Sequence, residues 1–215
     1  MITVPQVVEE MLKQSPIISE SVEEGLVNYS SLARKLQPEI EQKLYKSVTL
    51  GSIIMALKRL KIVSSKNNRL GETLAKITDL SMRSNLVSLT FTNSPTLFQN
   101  QSKLLDVASK TPNSFLTISH GIYETSIFIS KNLLEEADEI FKNETNQLRT
   151  EGLSSITLIL PKEAIDTPGI HYSVFKRLFS QGINVFETAS SYTELTIFLY
   201  SKDTERAFAV IKKLN

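Results

Sequence analysis

In the first third of the chain, apolar residues recur at helical spacing. Val4, Val7, Val8, Met11 and Leu12 share one face, and Pro16 ends that helix. Residues 19–26 predict a second helix. The run Asn28-Tyr-Ser-Ser31 holds the short polar side chains that cap helices, and it opens residues 32–36. Pro38 begins another turn, with Ile40 and Leu44 on one face. Thr49 or Ser47 then caps residues 50–60, where Ile53, Ala56, Leu57 and Leu60 make an apolar stripe. The opposite face presents Ser52, Met55, Lys58 and Arg59. Residues 61–65 read as a short β-run, and Lys66-Asn67-Asn68-Arg69 as a turn with basic flanks.

From residue 85 onward the chain repeats itself. Sliding it by 70 brings Glu124-Thr-Ser-Ile-Phe-Ile onto Glu194-Leu-Thr-Ile-Phe-Leu, Ala137 onto Ala207, Ile140 onto Val210 and Phe141 onto Ile211. Leu89 falls on Ile159, so one offset is expected to hold without gaps from the first strand to the last helix. Each copy reads strand, helix, strand, strand, helix. In the second copy, residues 155–160 are an apolar run ended by Pro161, and Pro168-Gly169 opens a helix over 170–180. Gly182 sits just beyond that helix, where a left-handed residue suits glycine. Residues 183–189 and 194–200 follow as strands, and 203–214 close as a helix with Ala207, Val210, Ile211 and Leu214 on one face.

Charge divides the chain further. The net value is only +1, from 24 Lys and Arg against 23 Asp and Glu. Yet residues 1–30 sum to −4, residues 31–69 to +7 and residues 85–215 to −2. One basic block beside a nearly neutral repeat suggests two modules with different partners.

Scarce residues exclude much chemistry. With no Cys there is no disulfide, thiol nucleophile or zinc finger. His120 and His171 stand 51 residues apart, so no His-rich metal cage is expected. The seven glycines are never closer than 13 residues, which excludes both the dinucleotide fingerprint and the Walker A loop. Glu124 and Glu194 begin equivalent strands and read as solvated hairpin-end charges rather than a catalytic pair. No enzyme activity, metal or cofactor is expected. The acidic amphipathic N-terminus is unlike a signal peptide, and the longest apolar run, 53–57, is far short of the roughly 20 residues that span a bilayer. A soluble cytoplasmic protein is the expectation.

Two resemblances organise these elements. Helices, then a β-run and a basic turn over residues 1–70, resemble a winged helix-turn-helix domain. That resemblance implies that Ser52, Met55, Lys58 and Arg59 face duplex DNA, with Lys66 and Arg69 on the wing. A helical bundle with a solvated basic face is the alternative. The second copy, through Asp166-Thr-Pro-Gly-Ile170, Gly182-Ile-Asn-Val185, Ser190-Ser-Tyr-Thr-Glu-Leu195 and Asp203 with Ala207, resembles an ACT domain. The pattern is similar to the tandem regulatory domains at the C-terminus of aspartate kinases. The first copy resembles it more weakly, with Ser94-Pro-Thr-Leu-Phe98 in place of the Pro-Gly turn. The fold class expected is α+β: an N-terminal helical winged-helix-like domain (1–70), a linker (71–84), and two ferredoxin-like βαββαβ domains of ACT type (85–150 and 151–215).

An amino-acid effector presents a carboxylate and an ammonium. A helix N-terminus with free N–H groups suits the carboxylate, and Gly169 lets backbone approach closely. By the resemblance, Pro168, Gly169 and Ile170 form that turn, Asp166 is a partner for the ammonium, and Asn184 with Val185 begins the facing strand. Loss of Pro-Gly in the first copy places a single ligand in the second. An ACT domain has a fourth strand after its second helix, but only Asn215 follows Leu214. That strand is expected to be borrowed within the chain or across a homodimer. The function implied is a non-catalytic regulator in which an ACT pair senses an amino acid and controls a DNA-binding module. The alternatives are a free-standing regulatory subunit of an amino-acid biosynthetic enzyme and a structural pair that only oligomerises.

Overall fold

The computed structural model describes residues 2–64, 69–77 and 79–214. The chain divides into two compact units, residues 1–68 and 69–215.

The described part of the N-terminal unit is helical throughout: α1 (Val4–Lys13), α2 (Pro16–Glu23), α3 (Tyr29–Leu44) and α4 (Leu50–Ser64). Asn28 caps α3 by accepting from the Ser30 and Ser31 amides at 3.0 and 3.1 Å. Pro38 does not start a new turn; it lies inside α3. Ala33, Leu36 and Ile40 bury one continuous face across it, and that packing outweighs the missing backbone donor. The unit closes around Val8, Ile40, Ile53 and Leu57, all fully buried. The expected β-run is also absent, since α4 continues through Ser64 and no strand occurs among the described residues of this unit. Over residues 61–64 the strand expected of a winged-helix layout is thus replaced by helix. Lys66 lies outside the described residues.

The C-terminal unit begins with α5 (Arg69–Leu74), followed by β1 (Leu80–Thr92), α6 (Leu97–Lys110), β2 (Leu116–His120), β3 (Glu124–Ser130) and α7 (Leu134–Ile140). Then come β4 (Asn146–Ile159), α8 (Ile170–Ser180), β5 (Glu187–Ser190), β6 (Glu194–Tyr200) and α9 (Thr204–Ile211). Residues 71–84 are thus no linker: Leu74 and Ile77 are buried in the core of the second copy, and β1 starts at Leu80. β5 is shorter than the expected 183–189, although the Phe186 amide already bonds the Phe198 carbonyl at 2.8 Å.

All six strands form one antiparallel sheet in the order β2-β3-β1-β4-β6-β5. Its centre is made of two long strands, β1 and β4, each serving both copies. The C-terminal half of β1 and the N-terminal half of β4 complete the first copy. In the second copy the missing fourth strand is supplied in cis: Leu80–Arg83 pair with Ser155–Leu158.

The sheet folds over on itself. Phe128 on β3 and Phe198 on β6 are three strands apart, about 14 Å in a flat sheet, yet their rings stack at 3.7 Å. They meet with Leu86 and Leu153 in a core between two layers, helices lying outside. Both long strands turn the corner at a left-handed residue, Asn85 (φ 58°) in β1 and Gly152 (φ 71°) in β4, as bulged corners do. Leu86 pairs with Leu153, each the other's counterpart, so a pseudo-twofold axis passes between them.

That axis corrects the repeat. Leu89 pairs with Ile127, and Ile156 pairs with Ile197. The counterpart of Leu89 is therefore Ile156, 67 residues on, and not Ile159, which pairs with Glu194 at the strand end. From β2 onward the offset is 70, as Ile118 with Ile127 and Thr188 with Ile197 attest. Three extra residues enter the second copy between Ile159 and Thr167, around a 3₁₀ turn at Lys162–Asp166.

Candidate functional site

The three-residue insertion remodels the start of α8. Helix α6 begins at Leu97, but its counterpart Thr167 is not helical, and α8 opens only at Ile170 behind Pro168-Gly169. Gly169 takes φ 96°, a conformation L side chains avoid. A Cβ there would lie 3.2 Å from Leu70 Cδ2, so α5 presses directly on this turn. Thr73 and Thr167 hydroxyls meet at 3.4 Å, both residues buried, and Lys76 pairs with Glu163 at 3.0 Å. The N-terminal turn of α8 carries no side-chain cap. Beside it opens a cavity of about 350 Å³, lined by Pro168, Gly169, Ile170, His171 and Tyr172 and by Ser190, Ser191 and Tyr192 of the β5–β6 hairpin.

The residues singled out from sequence do not all converge. Pro168, Gly169 and Ile170 line this cavity; Asp166, exposed on the 3₁₀ turn, does not. Val185 lines a separate apolar groove of about 500 Å³ with Phe175, Phe179 and Ile183. Asn184 is exposed next to it. Helix α8 has 11 residues, which sets Asn184 and Val185 about 16 Å along its axis from Gly169. Sequence reasoning missed Tyr172, Tyr192 and the α5 contacts. The apolar spacing of Leu70, Leu74 and Ile77 was their available signal.

The first copy treats the same place differently. Glu144, beyond α7, reaches the β1–α6 loop and accepts from Ser94 Oγ (2.6 Å), Thr96 Oγ1 (2.7 Å) and Asn100 Nδ2 (2.7 Å). Burial pushes its carboxyl up, but these three donors outweigh burial and hold it below the usual carboxylate range. The nearby hairpin is pinned as well: Asn93 Nδ2 donates to the Gly121 carbonyl at 2.8 Å, and the Thr125 hydroxyl joins Asn93 Oδ1 to His120 Nδ1, each at 2.7 Å. His120 also packs on Phe98, ring centroids 4.5 Å apart.

In the N-terminal unit, Ser52, Met55, Lys58 and Arg59 share the exposed face of α4. Arg69 is exposed at the start of α5, in the other unit. Among the described residues, no group of three His, Cys, Asp or Glu is placed to hold a metal ion. No helix among them is long and apolar enough to cross a membrane.

No protein-family model matches the chain, and no curated protein sequence matches it. Solved structures do. The aspartate kinase of Clostridium acetobutylicum, described as an allosteric enzyme, aligns over 66% of this chain with 18% identity and a TM-score of 0.53. This chain spans only 35% of that enzyme's length. The aspartokinase alpha and beta subunits align over 64% of this chain and 97% of theirs, with 16% identity and a TM-score of 0.51. The ligand-free regulatory subunit of aspartate kinase from Thermus thermophilus aligns over 64% and 98%, with 13% identity and a TM-score of 0.50. The aligned share exceeds what the N-terminal unit alone could supply. The likeness is one of fold.

Proposed function

We propose that this protein is a non-catalytic regulator whose C-terminal unit senses an amino acid at the N-terminus of α8. The observation that carries this reading is the first turn of α8, without a side-chain cap, beside a cavity of about 350 Å³ that the left-handed Gly169 helps to line. Free N–H groups at such an end favour a carboxylate, by direct hydrogen bonds and by the helix dipole. Tyr172 and Tyr192 supply apolar walls. Asp166, exposed on the preceding 3₁₀ turn and outside the lining of the cavity, is the carboxylate this reading offers to the ammonium.

Asn184 and Val185 enter this reading only from a second subunit, since within one chain α8 holds them at its far end. β5 is an edge strand and leaves that side of the sheet open to pairing. A homodimer follows, with effector contacts from both subunits.

Signal reaches the N-terminal unit through α5, which presses on the sensing turn and directly follows that unit in sequence. The output partner is a protein, as in the alternative of a regulatory subunit for an amino-acid biosynthetic enzyme. A second reading, duplex DNA, is favoured by one feature, the exposed α4 face with Lys58 and Arg59 beside Met55. DNA affinity that falls steeply with salt and is lost in the Lys58→Glu/Arg59→Glu variant supports the second reading. Absence of such binding leaves the first.

The sensing claim is tested by thermal unfolding against each of the twenty amino acids at millimolar concentration. A specific, saturable rise in melting temperature is expected for one or a few of them. No rise for any would contradict the proposal and favour a structural pair that only oligomerises.

A further inference from the structure

The two copies differ at one place in a concerted way. With the offset of 70 that holds from Leu97 onward, once the insertion before Thr167 is passed, Asn100 corresponds to Ile170 and Glu144 to Leu214. A polar pair bonded at 2.7 Å in the first copy is an apolar pair in the second, both members buried in its core. The donors in the first copy are built for a carboxylate. Asn100 is nine-tenths buried, and its Oδ1 accepts from Lys103 Nζ at 3.1 Å, which turns the Nδ2 donor toward Glu144. Ser94 Oγ accepts from the Leu97 amide at 3.1 Å, leaving its proton for the carboxylate. Thr96 supplies the third bond.

We propose that Glu144 is an internal ligand: the chain's own carboxylate fills a carboxylate site formed by Ser94, Thr96 and Asn100. The first copy is thereby closed to free effectors at the β1–α6 loop. This explains why the copies need not be equivalent although their sheets are related by a twofold axis. The site's chemistry is that of a small carboxylate, held by two hydroxyls and one amide and, among the described residues, by no cation in direct contact. The inference does not depend on effector binding at α8, because its test reads the first copy alone.

The experiment is thermal unfolding of the full chain with acetate as probe, against chloride at matched ionic strength. Glu144→Ala empties the site and leaves its donors in place. Its melting temperature is expected to fall by about 3 °C and to recover saturably with acetate. The unaltered chain and Glu144→Gln, whose sites remain filled, are expected not to respond. Equal responses from all three, or no acetate response in folded Glu144→Ala, would overturn the proposal. Should Glu144→Ala fail to fold, a cycle with the isosteric Glu144→Gln decides. Asn100→Ala is expected to lower the melting temperature clearly in the unaltered chain and less in the Glu144→Gln background; equal losses in both would overturn the proposal.

Discussion

At the scale of single residues, the C-terminal unit's behaviour turns on a few carboxylates and one glycine. Gly169 combines a left-handed backbone with a close neighbour, since a methyl added there would sit 3.2 Å from Leu70 Cδ2. Gly169→Ala should cost about 1–2 kcal/mol from the backbone alone, read as a loss of stability in denaturant titration. Glu187 on β5 is the opposite of Glu144. Burial pushes its carboxyl up, a hydrogen bond from Ser126 opposes this, and the Glu124 charge adds to the upward push. A raised folded-state value means that Glu187 weakens the fold once pH exceeds the unfolded carboxylate value, and fully so above the raised one. Glu187→Gln should therefore stabilise at neutral pH, with the gain shrinking as pH falls toward the unfolded value. A gain that persists unchanged at low pH would contradict this sign. Asn100 and Glu144 should behave as a pair: Glu144→Leu leaves a buried amide donor unpaired, costing about 1–3 kcal/mol. Asn100→Ile added to it, which copies the second repeat, should restore part of that loss in a denaturant midpoint.

Among the elements, α5 carries the most consequence for its length. Its six residues, with Ile77 just beyond, bury Leu74 and Ile77 in the core of the second copy. A chain starting at residue 69 is expected to unfold cooperatively, followed by far-ultraviolet circular dichroism. One starting at residue 80 is expected to lose cooperativity, because the second copy then lacks part of its core. Most helices and strands were legible in the sequence, since periodicity reports which face is buried, as Val7, Val8, Met11 and Leu12 illustrate. Pro38 is helical where local signals favoured a turn, because Ala33, Leu36 and Ile40 bury one face across it, and residues 61–64 continue α4 where a strand was expected. The insertion before α8 was invisible because sliding the chain by 70 placed Leu89 on another apolar residue, Ile159; only strand pairing separates it from Ile156. Likewise the Pro168-Gly169 turn could be read locally. Its separation from Asn184, and the reach of Glu144 to Ser94 across 50 residues, depend on the tertiary fold.

At the scale of the whole molecule, the chain divides into two compact units with different surfaces. The C-terminal one folds a six-stranded sheet over a twofold axis, and the N-terminal one is a helical bundle with an exposed basic face on α4. The fold likeness to aspartate kinase structures, at 13–18% identity, concerns architecture alone. The copies differ at one end, where Glu144 bonds Ser94, Thr96 and Asn100 in the first and a cavity adjoins the start of α8 in the second. A dimer is expected in solution, and sedimentation equilibrium that returns a monomer at all concentrations would remove Asn184 and Val185 from the site. The central claim, an open effector site at α8 and a closed one at α6, is tested most directly by following backbone amide resonances during titration with the amino acid that raises the melting temperature. The account predicts saturable shifts at Ile170, His171 and Tyr172 with Leu97 and Phe98 unmoved. Shifts centred on the α6 end, or none at α8 when the ligand is saturating, would contradict it.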